Sequence, residues 1–194
     1  KFKNCKTKIL NSYDLIKLNN KKIDVTVCAI PGIAGLKPTI QILKKTKKIL
    51  LANKESIICG WDLIKKESIK YKTKIIPVDS EHFSIFQLIE NQKISEIKKI
   101  YITASGGPFL NFKSNKLKKI SPKDALKHPK WKMGKKISVD SATMMNKAFE
   151  IIEAKKIFNI PYKKLSIIIH PKSYVHAIIK FKNGLTKIIV HDTN

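Results

Sequence analysis

Hydrophobic positions along the first hundred residues switch between two periods. Short, β-branched apolar runs at 23–30, 49–52, 74–78 and 99–104 predict strands. Between them, 38–48, 55–69 and 82–89 carry apolar residues at the three- and four-residue steps of a helix. Pro31-Gly32-Ile33-Ala34-Gly35 punctuates the first strand from the first helix. Such alternation predicts a parallel sheet covered by helices, in which ligands gather at the carboxyl ends of the strands. Gly32, Asn53-Lys54, Asp79-Ser80-Glu81 and Ser105-Gly106-Gly107 all follow strand ends, so one shared rim is expected.

The pattern lapses between residues 108 and 136, where Pro108, Pro122, Pro129 and Gly134 interrupt it and leave room for one short helix at 122–126. A long segment of this kind inside a compact domain reads as a lid or binding loop. Residues 141–158 then predict a single helix. Strands follow at 165–169, 177–182 and 185–190, the last two joined at Asn183-Gly184 by a type I′ turn. The one plausible domain boundary lies near 75–78, where the simple alternation gives way to an acidic motif.

Composition narrows the class. A chain of 194 residues can bury one large core or two small ones. No apolar run approaches the roughly 20 residues needed to span a bilayer, and the N-terminus lacks a signal-peptide core, which reads as a cytoplasmic protein with no membrane partner. Cys5, Cys28 and Cys59 have no CxxC spacing and give neither a disulfide framework nor a zinc site. The formal charge of +26 invites a polyanion, so a lysine-rich module binding nucleic acid or anionic surfaces is the competing reading. All 40 residues counted as Lys or Arg are lysine, however, and they are spread through nearly every segment. Without the arginine fork the chain is poorly equipped to read bases, so no nucleic-acid partner is expected.

The chemistry concentrates in a few stretches. In extended backbone the i, i+2 spacing of Asp79 and Glu81 sends both carboxylates the same way, close enough to share a hard cation; a helix cap is the structural alternative. Thr143, Asn146, Lys147, Glu150 and Glu153 form one polar stripe at helical steps. Phe149, Ile151 and Ile152 widen the apolar side of that helix, so the stripe reads as enclosed and in need of a metal or phosphate partner, against the plain alternative of a solvated face. Ser105-Gly106-Gly107 lets backbone N–H groups approach an anion, or simply turns the chain. Trp131 in the irregular segment reads either as a cover over a ligand or as a core residue. His170 and His176 lack zinc spacing and read as ordinary histidines.

Five blocks in order make a resemblance. Leu-Leu-Ala-Asn-Lys-Glu-Ser (50–56), Pro-Val-Asp-Ser-Glu-His (77–82), Ser-Gly-Gly-Pro-Phe (105–109), the run from His128 to Lys147, and Ile-His-Pro-Lys-Ser-Tyr-Val-His (169–176) resemble the signature blocks of the 1-deoxy-D-xylulose 5-phosphate reductoisomerases. That family rearranges its sugar phosphate and reduces the product with NADPH to 2-C-methyl-D-erythritol 4-phosphate, in non-mevalonate isoprenoid synthesis. The resemblance implies an α/β chain, with the end of a Rossmann-like dinucleotide domain over 1–76 and an α+β catalytic domain over 77–194 carrying a lid at about 106–136. It makes Asp79, Glu81 and Glu150 ligands of Mg²⁺ or Mn²⁺. Ser80, Ser105, His128, Ser141, Asn146, Lys147 and Glu150 would hold the substrate, with Lys54, Glu81, His128 and His176 at the chemistry. Trp131 and Met133 would sit on the lid, and Gly32, Ala34, Asn53, Lys54 and Glu55 on the NADPH side. A homodimer is implied for the full-length enzyme. The family's N-terminal glycine-rich fingerprint and C-terminal helical domain are missing, so weak NADPH binding and little turnover are expected of the chain alone.

Overall fold

The computed structural model describes residues 22–127 and 134–192. The chain divides after Ile76 into two compact units. In the first, strand β1 (Ile23–Cys28), helix α1 (Leu36–Leu43), β2 (Thr46–Leu51), α2 (Lys54–Tyr71) and β3 (Lys74–Pro77) follow one another, and the sheet order is β1-β2-β3. β1 and β2 run parallel, with Ile23 opposite Thr46 and Cys28 opposite Leu51. Leu43, Ile49, Leu51, Ile57, Trp61 and Ile64 are buried, so this unit's apolar burial comes chiefly from α1, β2 and α2. Val25 and Val27 of β1, which ends the sheet among the described residues, stay exposed.

The second unit contains α3 (Ser80–Leu88), β4 (Ile97–Ala104), two short helices α4 (Ser114–Leu117) and α5 (Pro122–Ala125), α6 (Lys135–Ala142), α7 (Met145–Phe158), and strands β5 (Leu165–Ile169), β6 (Val175–Phe181) and β7 (Thr186–Val190). Its sheet has the order β5-β4-β6-β7, with β4 parallel to β5 and antiparallel to β6. Ile85 and Leu88 of α3 and Ala154 of α7 pack with Ile100, Ile102, Leu165, Ala177 and Ile179, so both helices lie on one face of this sheet. Among the described residues no helix is long and apolar enough to cross a membrane.

Mixed α/β structure with parallel pairing is what the alternation predicts, but several details differ. β4 joins a second, mixed sheet instead of extending the first, so the four strand ends do not form the rim of one sheet. Local periodicity marks a strand without saying which distant strand it pairs with. The expected helix over 141–158 is two helices, broken where Met144 takes a left-handed backbone (φ 60°). Thr143 caps the end of α6 and bonds back to Val139, so it leaves the polar stripe. The β6–β7 connection is not type I′, which needs positive φ at both central residues. Only Gly184 of the loop is left-handed (φ 89°), and Phe181 and Leu185 close it as a three-residue turn.

Candidate metal centre and phosphate pocket

Two carboxylates converge at the start of α3 because the helix begins between them. Asp79 is its N-cap, with no capping bond from its own side chain, and Glu81 falls in the first turn. The expected extended i, i+2 geometry is therefore replaced by a helix N-terminus, whose partial positive charge favours anions. Glu150 comes from α7, and carboxylate oxygens of Asp79, Glu81 and Glu150 lie within 4.8 Å of one another. Glu150 is 1% exposed and Glu81 9%. The polar stripe of α7 is thus its enclosed face: Lys147, Glu150 and Glu153 are buried while Met145 is exposed.

Lys147 neutralises part of this charge. Its Nζ lies 2.5 Å from Glu81 Oε1 and 2.5 Å from Glu150 Oε2. Asn146 Nδ2 donates to the other oxygen of Glu150. Burial alone would raise the Glu81 pKa, but the nearby His176 ring nitrogen, the Lys147 charge and the Asp79 contact outweigh it and hold the carboxyl well below its usual range. Burial would likewise lower Lys147, and the two glutamates reverse that and hold its pKa above the usual lysine value. Lys147 is thus shared between two of the three acids. An all-oxygen donor set of this kind suits Mg²⁺ or Mn²⁺ rather than zinc.

Around the acids lies a hydrogen-bonded shell. Ser80 Oγ donates to Glu81 Oε2 at 2.8 Å and meets His176 Nδ1 at 3.1 Å, and that nitrogen lies 3.9 Å from Glu81 Oε1. His82, fully buried, donates from Nε2 to the backbone carbonyl of Glu150 at 2.9 Å, because a carbonyl can only accept. This bond ties α3 to α7 at the level of the acids. A second group, Asp79, His82 and Glu153, also brings donor atoms within 4.8 Å. The sequence reading overlooked His82, Ser84 and His191. Only His82 left a signal, its place in the acidic motif.

Beside the acids is a small, partly open pocket lined by Ala104, Ser105, Gly106, Gly107, Ser141, Met144, Asn146 and Lys147. It therefore brings together Ser105, Ser141, Asn146 and Lys147 from the end of β4, from α6 and from the first turn of α7. A helix N-terminus presents unpaired N–H groups of the kind that bind phosphate. Asn146 and Lys147 belong to both pocket and acid cluster. His128, Trp131 and Met133 lie outside the described residues.

The remaining expected residues fall in the first unit. Gly32 is left-handed (φ 71°) and precedes a 3₁₀ turn, Ile33–Gly35, that includes Ala34. Asn53 caps α2 by accepting from Ser56 N at 2.5 Å, while its amide donates to the carbonyls of Ile30 and of Gly32. Asn53 is thus spent on shaping the loop after β1, and Lys54 and Glu55 open α2.

Comparison with known proteins points one way. Residues 2–60 match the 1-deoxy-D-xylulose 5-phosphate reductoisomerase family model, and residues 75–158 match the C-terminal domain model of the same enzyme. The protein of that name from Pelagibacter ubique (strain HTCC1062) is 64% identical over 195 residues, covering 99% of this chain and 50% of the relative. The chain belongs to the 1-deoxy-D-xylulose 5-phosphate reductoisomerase family. A namesake from Wolbachia pipientis wMel is 50% identical over 89% of this chain and 44% of its own length. Among solved structures, a reductoisomerase in complex with NADPH, fosmidomycin and magnesium has a TM-score of 0.79 at 40% identity, covering 88% of this chain and 44% of that one. The enzyme from Zymomonas mobilis in complex with NADPH has a TM-score of 0.79 at 39% identity, with the same coverage. The chain spans about half the length of the curated relatives it matches.

Proposed function

We propose that this chain supplies the metal- and phosphate-binding parts of a 1-deoxy-D-xylulose 5-phosphate reductoisomerase, which rearranges that sugar phosphate and reduces the product with NADPH in non-mevalonate isoprenoid synthesis. The carrying observation is the convergence of Asp79, Glu81 and Glu150 beside a pocket lined by hydroxyl, amide and backbone N–H groups. The named relatives and the complexes with NADPH and magnesium support the same reading.

Asp79, Glu81 and Glu150 would hold Mg²⁺ or Mn²⁺. Bound there, the ion supplies a Lewis acid for the substrate's oxygens. Ser105, Ser141 and Asn146 would hold the phosphate at the start of α7. Lys147 bridges two acids and also lines the pocket, so its ammonium can serve the phosphate once those acids are otherwise neutralised. Ser80 and His176 would meet the substrate, with Lys54 and His128 also assigned to it. Residues 1–76 would carry the NADPH side, through Gly32, Ala34 and the 53–55 turn, and 77–194 the catalytic side. Trp131 and Met133 would cover the site as a lid over 106–136. The same reading makes the enzyme a cytoplasmic homodimer acting on a sugar phosphate, with no nucleic-acid partner.

The test is Mn²⁺ binding followed by paramagnetic resonance. Asp79→Asn and Glu150→Gln are each expected to weaken it by roughly a hundredfold, a loss at least as large as those seen for removed supporting groups. Unchanged Mn²⁺ affinity in both variants would overturn the metal assignment. NADPH oxidation driven by deoxyxylulose phosphate, in the protein that carries this sequence, tests the reaction itself. Polyanion binding that fades steeply with salt, without any metal dependence, would favour the lysine-rich module instead.

A further inference from the structure

Two serines next to the acid cluster have each committed their only proton, and this fixes the state of two histidines. Ser84 Oγ donates to the carbonyl of Ser80 at 2.7 Å, so at 2.9 Å from His191 Nε2 it can only accept. His191 Nε2 therefore carries a proton whether the ring is neutral or charged. Ser80 Oγ gives its proton to Glu81 Oε2 at 2.8 Å and accepts from His176 Nδ1 at 3.1 Å. His176 Nδ1 is thus the protonated nitrogen, and in the neutral ring Nε2 bears the lone pair. Among the described residues Nε2 of His176 makes no hydrogen bond.

The two rings also touch. His176 and His191 meet edge to face, with centroids 5.1 Å apart and planes at 70°. The main-chain N–H of His191 donates to the carbonyl of Tyr174 at 2.7 Å, which anchors the residue after β7 beside the start of β6. His191 is held at both its backbone and its Nε2, and its ring forms a wall for a neighbour that itself bonds to the motif serine.

We propose that His191 is a positioning residue: anchored on Ser84, its ring keeps His176 turned with Nδ1 on Ser80, which leaves Nε2 as the nitrogen offered to the substrate. The inference rests on the functional reading above, in which His176 lines the site. A ring nitrogen whose tautomer is set by its other hydrogen bond is a prepared donor or acceptor, and loosening such support misplaces it.

Ring-¹⁵N spectra of the protein carrying this sequence, recorded without substrate at a pH where both rings are neutral, report the tautomers directly. His176 is expected as the single Nδ1–H form, the less common one for a free histidine side chain, and His191 as Nε2–H. In His191→Ala, His176 is expected to relax to a tautomer mixture and kcat to fall about tenfold, with KM for NADPH unchanged. His191→Phe keeps the ring wall and is expected to restore most of the single tautomer and of kcat, and it serves as the second variant if the alanine protein does not fold. A His176 signal that stays single in His191→Ala, or an unchanged kcat, would overturn the proposal. Absence of turnover in the parent protein would strike the reductoisomerase reading alone, since the tautomer comparison needs no substrate.

Discussion

At the residue scale, Lys147 sits between two acids that could not both remain ionised and buried without it. Its Nζ touches Glu81 and Glu150 at 2.5 Å each, with all three side chains nearly enclosed. Removing one member of a buried ion pair strands the others and costs about 3–5 kcal/mol. Lys147→Met is therefore expected to lower the unfolding free energy by about 3 kcal/mol in a denaturant titration without divalent ions, and added Mn²⁺ should recover much of that loss. The pKa directions set the pH window. Glu81 is depressed in the fold, so its contribution is complete above its unfolded value of about 4.3 and disappears as acid titrates it through the lower folded value. Lys147 is raised, so its contribution is complete below about 10.4 and is lost as alkali passes the higher folded value. Stability measured against pH should be level through neutrality and fall below about pH 4; in Glu81→Gln that acid limb should flatten.

At the element scale, the turn after β4 decides the shape of the pocket beside the acids. Gly107 is left-handed (φ 68°), and a Cβ built there would lie 2.8 Å from the backbone carbonyl of Ser141. Both the strain and the clash fall on the joint between this turn and α6. Gly107→Ala is expected to cost about 2–3 kcal/mol by chemical unfolding. Gly184→Ala meets open space, so it should cost only the roughly 1–2 kcal/mol of a left-handed alanine. Equal losses at the two sites would show that the Ser141 contact is unimportant. The short helix α5 offers a second test. Ser121 and Asp124 form a capping box, and the hydrogen bonds from Ser121, helped by Lys127, lower the Asp124 pKa to about 2. Its capping contribution is present above the unfolded aspartate value of about 3.9 and is lost as pH falls through about 2. The Ser121 amide resonance should titrate near that lower value, and a midpoint near 4 would contradict the box.

At the scale of the whole molecule, a formal charge of +26 means that lysines repel one another across every surface. Isolated exposed bridges such as Lys47–Asp24 relieve little of this. Raising the salt from about 10 mM to about 150 mM shortens the screening length from roughly 30 Å to roughly 8 Å, so the melting temperature should rise over that range by several degrees. A melting temperature that falls with salt would mean that attractive pairs outweigh the repulsion.

Sequence alone determined what depends on neighbours in the chain. The β-branched runs marked β1 to β7, because strand formation follows local side-chain fit, and the acids at 79, 81 and 150 were legible as candidate ligands from their residue types together with the motifs that carry the family resemblance. Only the tertiary structure decided matters that depend on distant partners. It put β4 in a second sheet, broke the helix at a left-handed Met144, and turned Asp79 and Glu81 into a helix start facing Glu150. It also brought His191 to Ser84, more than a hundred residues away, where the direction of one serine's proton fixes what the histidine can do. Periodicity cannot carry that information, since hydrogen-bond direction is set by who else is present once the chain has closed on itself.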